Sequence, residues 1–208
     1  MSGEAKQARS FVKRKIARMI ESKTQSGVKA ELAMLRRGIG KAPGSMPELW
    51  NVTLSGLPEI LLSKNEEPTK GEWAVHTALT LYALHQQGKD PGRQCMQKEG
   101  ENLGIAARRL VDREKSNEEA VVRRFQSVAL SDNFERLSWH LRGLVQLLKS
   151  KDIQLDYPAL TEDLYWFHFN DRRDGIRLRW GQDFYRSIES ISEDDQTETK
   201  EDAIDEKQ

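Results

Sequence analysis

Arginine recurs beside the predicted apolar stripes of successive helices, and it is the residue type in this sequence best suited to bind an anion. Its planar guanidinium stays charged and can hold a phosphate through two parallel hydrogen bonds. The candidate nucleic-acid-binding residues are Arg36, Arg37, Lys41, Arg108, Arg109, Arg123, Arg124, Arg142, Arg172, Arg173, Arg177 and Arg179. If they share one face, they form a positive track that binds phosphates without reading sequence, with an affinity that falls steeply as salt rises. The alternative is a set of ordinary solvated faces with local ion pairs, and composition leaves both interpretations open.

The first pair, Arg36 and Arg37, ends a predicted helix that starts at an N-cap, Ser26, and stops at Gly38. Basic side chains in a last turn complement the negative end of the helix dipole. The glycine- and proline-rich segment that follows predicts a rigid turn. We therefore expect the turn to hold both arginines and Lys41 on one surface offered to an anion.

Residues for catalysis or metal binding form no recognisable set. The sequence has no phosphate-binding loop ending in Lys-Ser or Lys-Thr, no HExxH helix and no paired cysteines. The four histidines are scattered and are better explained as core or boundary residues than as ligands. Glu114 and Lys115 are the nearest approach to the carboxylate and lysine set of a restriction-type nuclease, but they lie in a polar loop without a strand pattern. We therefore predict that the protein is not an enzyme and uses no metal or cofactor.

The tryptophans offer a second chemistry, because an indole ring can stack on an unpaired base. The sequence has five: Trp50, Trp73, Trp139, Trp166 and Trp180. Most of them fall within apolar helical patterns. Core packing is therefore the favoured prediction for these side chains.

The formal charge is zero, from 33 basic and 33 acidic residues, but the two signs are segregated along the chain. Residues 189–208 hold nine acids and two lysines, so they carry −7 and the rest of the chain carries +7. A segment this acidic and this poor in apolar residues buries too little surface to offset its ordering entropy. We predict a disordered acidic tail over residues 192–208, which either mimics a polyanion near the basic body or only aids solubility.

Cellular location is predicted from what the sequence lacks. The first residues have no apolar core of signal-peptide type, and no apolar run is long enough to span a bilayer. A single cysteine, Cys95, fits a reducing compartment and is interpreted as an inert side chain. The expectation is a soluble, cytoplasmic protein without a membrane or small-molecule partner.

Apolar residues repeat with helical spacing along most of the chain. They predict helices over residues 5–23 and 73–84, and Thr69 and Glu72 have the spacing of a capping box that opens the second. The clearest stripe repeats at intervals of three and four residues: Phe134, Leu137, Leu141, Leu144 and Leu148. An all-α fold is therefore predicted.

Two further segments are less regular. The polar residues 94–102 predict an exposed loop. Residues 176–188 fit both strand and helix periods, and helix is favoured because a lone strand would leave its backbone groups unpaired.

Three blocks of the sequence match a known family. They are LRRGIGKAPGSMPELW from Leu35 to Trp50, HLRGLVQLLKSKDIQLDYPALTEDLYWF from His140 to Phe167, and IRLRWGQDFYR from Ile176 to Arg186. In this order they resemble the CasB family, the small subunit of the type I-E CRISPR Cascade surveillance complex. The resemblance covers roughly residues 10 to 190 and implies nothing about the acidic tail.

The resemblance implies an all-helical, noncatalytic protein made of two small helical bundles. Two copies of such a subunit pack head to tail beside the subunits that carry the guide RNA, and a basic groove holds the displaced DNA strand of the R-loop. The polar segment around residue 115 suggests bundles over residues 1–115 and 116–191. The expected partners are other Cascade subunits with their guide RNA, a second copy of the chain and displaced single-stranded DNA.

The resemblance implies that the family's basic positions carry over onto a subset of the candidate residues, with the remaining arginines included at lower weight. The subset is Arg36, Arg37, Arg142, Arg172, Arg173 and either Arg177 or Arg179. The competing hypothesis is a purely structural scaffold whose basic faces dock acidic neighbours and never contact DNA.

Overall fold

The computed structural model describes residues 3–22 and 24–186, and these residues form an all-α fold. Within them lie nine α-helices: α1 (Gly3–Glu21), α2 (Gln25–Arg37), α3 (Trp50–Thr53), α4 (Lys70–His85), α5 (Leu103–Arg108), α6 (Glu118–Ala129), α7 (Phe134–Ser150), α8 (Tyr157–Phe167) and α9 (170–186). The predicted fold class is confirmed. The predicted acidic tail lies outside the described residues. None of the described helices is both long and apolar enough to cross a membrane.

Helix α4 is the centre of the molecule. Nearly all of its side chains are buried, and α1, α2, α7 and α8 pack around it. A helix that is apolar on every side must be surrounded in this way. The predicted capping box opens it: the Glu72 backbone N–H donates to Thr69 Oγ1 at 3.0 Å, and the Thr69 backbone N–H donates to Glu72 Oε2 at 2.7 Å.

The predicted stripe of α7 faces the core. Its four leucines are fully buried, and Phe134 packs at the edge of the same cluster. Helix α6 packs along α7, and α5 contacts both. Because one face of α7 is committed to this core, its opposite face is left to solvent.

Residues 176–186, part of the segment whose sequence fits both strand and helix periods, are helical, as predicted. Helix α9 buries Ile176, Trp180 and Phe184 on one face. Gly104 of α5 allows a close crossing, since a Cβ at this position would lie 2.2 Å from the Trp180 carbonyl oxygen. Only glycine therefore permits this packing of α5 against α9.

The division near residue 115 stays a prediction. The described core is continuous across it, because α8 from the C-terminal half packs against α1 and α4 from the N-terminal half. Any bundle that contains α1 and α4 therefore also contains α8.

One local expectation is wrong, and a second holds only in part. Ser26 does not cap α2, because the helix begins at Gln25 with Thr24 in the N-cap position. The segment 94–102 is a loop, as predicted, but it is only partly exposed: the Leu155 backbone N–H donates to the Met96 carbonyl at 3.0 Å, and Met96 is buried. Pairing with the residues before α8 holds the segment in place, and no local sequence pattern announced that pairing.

Candidate nucleic-acid interface

Arg108 is a core residue. Although it is a candidate nucleic-acid-binding residue, its side chain is only 7% exposed. Its guanidinium donates to Glu118 Oε1 at 2.6 Å and lies 5.7 Å from the centre of the Phe184 ring. These contacts join α5 to α6 and α9, and they leave Arg108 unavailable to a ligand.

Arg173 and Arg177 are also used inside the fold. Arg173 donates to the carbonyl oxygens of Phe167 at 2.8 Å and Asp132 at 2.5 Å. Arg177 donates to the carbonyl oxygen of Ala129 at 2.7 Å. Both arginines satisfy carbonyl groups at helix ends, which otherwise lack partners. Their charges hold α9 against the rest of the chain.

Arg179 pairs with Asp163, a carboxylate that also accepts a hydrogen bond from the Trp180 indole at 2.6 Å. Burial raises the pKa of Asp163 to about 6, while Arg179 and Trp180 act in the opposite direction. Since Asp163 is buried, Arg179 supplies the nearby charge that makes its ionised form tolerable. Arg179 is half exposed but committed to this pair.

Four more candidates are exposed and have one acidic neighbour each. The pairs are Arg37 with Glu48, Arg109 with Glu101, Arg123 with Glu119 and Arg172 with Asp171. Except for Arg109, whose partner Glu101 is buried, these are exposed ion pairs, which contribute little to stability, about 0 to 1 kcal/mol. In the three exposed pairs a phosphate can therefore replace the carboxylate at little cost. These four stay possible contacts, but they lie on different helices.

The remaining candidates, Arg36, Lys41, Arg124 and Arg142, have no ion pair in the part of the chain that the structure describes. Arg142 lies on the outer face of α7 and lines a groove of about 880 Å³. Gly40 and Ala42, on either side of Lys41, line the same groove. Lys41 is exposed in the turn that borders the groove but is not itself among the lining residues, so its place on one surface with the arginines stays a prediction.

The same surface extends along α7 in both directions. Arg136, two turns before Arg142, also lines the groove. Toward the other end, burial lowers the pKa of Lys149, and the charges of Arg36 and Lys89 lower it further. Arg36 and Gln87 line one pocket, and Lys149 Nζ donates to Gln87 Oε1 at 2.8 Å, which places the end of α2 near the end of α7.

Arg124 reaches the flank of α7 from α6. Its Nη1 lies 3.2 Å from the point that a Cβ on Gly143 would occupy. The absence of a side chain at Gly143 thus makes room for the guanidinium next to Arg142. We call the resulting surface the α7 basic face: Arg36, Lys41, Arg124, Arg136, Arg142 and Lys149.

Arg136 and Lys149 were missed as site residues by sequence reasoning. The sequence pattern that could have identified them is the helical period of α7, because positions opposite the buried leucine stripe must face solvent together. Trp139 was also missed, since it was expected in the core but is 67% exposed on that same outer face. Trp50 is exposed too, while Trp180 is buried as predicted.

No metal centre is formed by the described histidine, cysteine and acidic side chains. His76 and His85 are buried on α4, as expected for core residues. His76 Nε2 lies 2.9 Å from the Gly38 carbonyl, and His85 Nδ1 lies 2.9 Å from the Tyr157 hydroxyl. These side chains hold the core together and do not converge on a site.

Fold and site together define an all-helical protein with a basic surface along one helix. The model of the family described as CRISPR-associated protein Cse2 matches residues 31–185. The chain is 31% identical to CasB from Thermobifida fusca, with a TM-score of 0.69 over 86% of this chain and 97% of that chain. The chain therefore belongs to the Cse2 family, and the predicted resemblance to CasB is confirmed.

Two further structures share the fold. CasB from M. ruber is 22% identical, with a TM-score of 0.63 over 89% of this chain and 96% of that chain. A chain of a CRISPR RNA-guided surveillance complex is 22% identical, with a TM-score of 0.67 over 92% of this chain and 98% of that chain. Among curated proteins, none matches the chain.

Proposed function

We propose that this chain is a noncatalytic subunit of a CRISPR RNA-guided Cascade complex, where it binds the displaced DNA strand by its phosphates and so stabilises the R-loop. Membership of the Cse2 family supports the assignment to Cascade. Structures of CasB and of a CRISPR surveillance complex with the same fold support it further. The partners are then other Cascade subunits with their guide RNA, and a second copy of the chain.

The α7 basic face is the observation that carries DNA binding. Its six cationic side chains come from α2, the turn that follows it, α6 and α7, and five of them have no carboxylate partner among the described residues. Exposed, unpaired arginine is available for bidentate contacts with phosphate. Contacts to phosphate carry no sequence information, so binding of this kind is independent of sequence.

Modest contacts are sufficient for this function. The RNA–DNA hybrid is about as stable as the DNA duplex that it replaces, so strand exchange is nearly balanced in free energy. A subunit that holds the displaced strand opposes reannealing and shifts this balance. The candidate arginines inside the fold, Arg108, Arg173, Arg177 and Arg179, then act by positioning helices rather than by touching DNA.

A Lys41→Glu, Arg142→Glu double variant tests the proposal. Both side chains are exposed, so we expect native helicity, an affinity for single-stranded DNA lowered at least tenfold at low salt, and weaker R-loops. Each lost phosphate contact should reduce the slope of log K against log salt by about 0.7. The measurement is a salt titration of oligonucleotide binding and of R-loop formation by the assembled complex.

The matched control is Lys6→Glu with Lys64→Glu, which makes the same charge change at exposed positions away from α7. Equal loss in both variants would mean that net charge, not the α7 basic face, governs binding. An affinity of the wild type that does not respond to salt would contradict the proposal outright.

A structural scaffold remains the second candidate, and one observation favours it. Leu130 and Leu178 are exposed near the junction where Arg177 binds the Ala129 carbonyl. Exposed apolar side chains of this size suit contact with a neighbouring protein. If scaffolding is the whole function, the Lys41→Glu, Arg142→Glu variant drops out of the assembled complex instead of assembling with weak DNA affinity.

A further inference from the structure

Trp139 is placed where the fold does not need it. It projects from the outer face of α7, opposite the buried leucines, and is 67% exposed. Its indole N–H makes no hydrogen bond among the described residues, whereas the exposed Trp50 donates to the Gly44 carbonyl at 2.8 Å. Trp50 thereby fixes the turn after α2. Trp139 has no comparable structural use.

An aromatic groove begins beside Trp139. Its volume is about 880 Å³, and it runs between α7, the turn after α2 and the residue after α8. Phe134 lies at its base, stacked on His168 at 4.1 Å between ring centres and meeting Trp73 edge to face at 5.8 Å. The groove is bounded mainly by apolar surface.

One polar atom of the groove region has no protein partner. His168 Nε2 is buried without a hydrogen bond, although a buried ring nitrogen normally has one. Burial lowers the pKa of His168 to about 4, and the charges of Lys70 and Arg173 add to this shift. The ring is therefore neutral at pH 7 and adds no positive charge to the groove.

The rim of the groove is basic. Arg136 and Arg142 line it, Lys41 lies between two lining residues, and Glu135 is the one acid among the lining side chains. An occupant with a flat apolar body and negative charge is thus favoured over an acidic or neutral peptide, which matches only one of these two features. A nucleotide with an unpaired base has both, and a paired base does not, because its faces are covered within the duplex.

We infer that Trp139 is a stacking platform for one unpaired nucleotide of the bound strand, with the base against the indole at the mouth of the groove and its phosphate on Arg142. This inference rests on the proposed function and adds a contact to it: the single strand is held by one of its bases as well as by its phosphates. Stacking is tolerant of sequence, because every base has an aromatic face. It therefore agrees with binding that does not read bases.

The test compares Trp139→Leu with the wild type on two probes, a dT oligonucleotide and an abasic strand of the same length and charge. Loss of one stacked base corresponds to a loss of affinity of roughly 5- to 150-fold. We expect this loss for Trp139→Leu on the dT probe, little change on the abasic probe, and partial recovery in Trp139→Phe. Tyr185→Leu, which removes another exposed aromatic side chain outside the groove, should bind like the wild type.

The outcomes separate this inference from the function on which it rests. If Trp139→Leu binds both probes like the wild type while Lys41→Glu with Arg142→Glu binds neither, phosphate binding stands and stacking is wrong. Equal losses on both probes also overturn stacking. Failure of Trp139→Leu to enter the assembled complex would make Trp139 a protein contact. If the wild type binds no oligonucleotide, the inference and the proposed function fall together.

Discussion

Arg108 and Arg142 each lie beside the apolar stripe of a helix, yet they have opposite roles in the structure. Arg108 is enclosed between Glu118 and the Phe184 ring, whereas Arg142 is exposed at the groove. A guanidinium is equally suited to a buried carboxylate and to a phosphate. The residue type therefore predicts an anionic partner but not whether that partner belongs to the protein or to a ligand.

This contrast predicts opposite effects of the two alanine substitutions on stability and on DNA affinity. Arg108→Ala removes a charge-assisted hydrogen bond and leaves Glu118 without its partner, so the free energy of unfolding should fall by about 2 kcal/mol. Arg142→Ala, at an exposed position, should change it by less than about 0.5 kcal/mol. Urea titrations measure both values.

For oligonucleotide affinity, the substitution at Arg142 should have the larger effect. Arg142→Ala binds single-stranded DNA more weakly, while folded Arg108→Ala binds like the wild type. An Arg108→Ala protein of normal stability and weak DNA affinity would return Arg108 to the binding surface.

At the scale of elements, the two predicted helix starts differ in outcome. The box of Thr69 and Glu72 is formed in full, and Thr69 Oγ1 also donates to the Leu61 carbonyl at 2.6 Å. Ser26 has a residue type equally suited to capping but lies inside the first turn of α2. The box was identified correctly because two residues at fixed spacing specify it, whereas a lone serine does not.

Replacing these two residues by alanine tests the difference. Thr69→Ala should lower the free energy of unfolding by about 1 kcal/mol, because a backbone N–H at the start of α4 loses its acceptor. Ser26→Ala should leave it unchanged or slightly raised, since alanine is the better residue inside a helix. Thermal and urea unfolding of both variants provide the measurement, and equal losses would place the cap of α2 at Ser26 after all.

At the scale of the whole molecule, buried histidines link the core to pH. Burial lowers the pKa of His85 and His168 to about 4 and lowers that of His76 as well. In the unfolded chain each value returns to about 6.5, so the unfolded state binds more protons between these limits. The stability that these groups contribute is complete above about pH 6.5 and is lost as the pH falls toward 4.

The pKa shift of Asp163 has the opposite effect on how stability depends on pH. Its pKa is raised to about 6, so its contribution is complete below its ordinary value and is lost as the pH rises through 6. Three histidines lose their contribution to stability on acidification, whereas one carboxylate gains its contribution. The loss from the histidines also begins at a higher pH than the gain from the carboxylate. The net expectation is a fall in the free energy of unfolding between pH 6.5 and 4.5.

His85→Gln checks the source of this fall. Glutamine can still bond to the Tyr157 hydroxyl but does not titrate, so the stability of the variant should depend less steeply on pH than that of the wild type. Urea titrations at several pH values supply the two slopes. Identical slopes, or a wild type that gains stability on acidification, would rule out His85 as a main source.

The sequence by itself determined the all-α class, the family, the capping box of α4 and the buried stripe of α7. Each of these depends on residues close together in the chain, where helical period and cap geometry translate directly into structure. The family likewise followed from contiguous blocks such as the one from Leu35 to Trp50. These features could be predicted from local sequence patterns without any knowledge of long-range contacts.

Tertiary structure alone decided which cations stay free. Arg177 is bound at the end of α6 because α9 crosses there, and Arg142 is exposed because nothing covers the outer face of α7. The same packing exposed Trp139 and assembled its groove from elements more than a hundred residues apart. Burial and pairing depend on contacts between distant segments, and the local residue pattern around each arginine is the same in both situations.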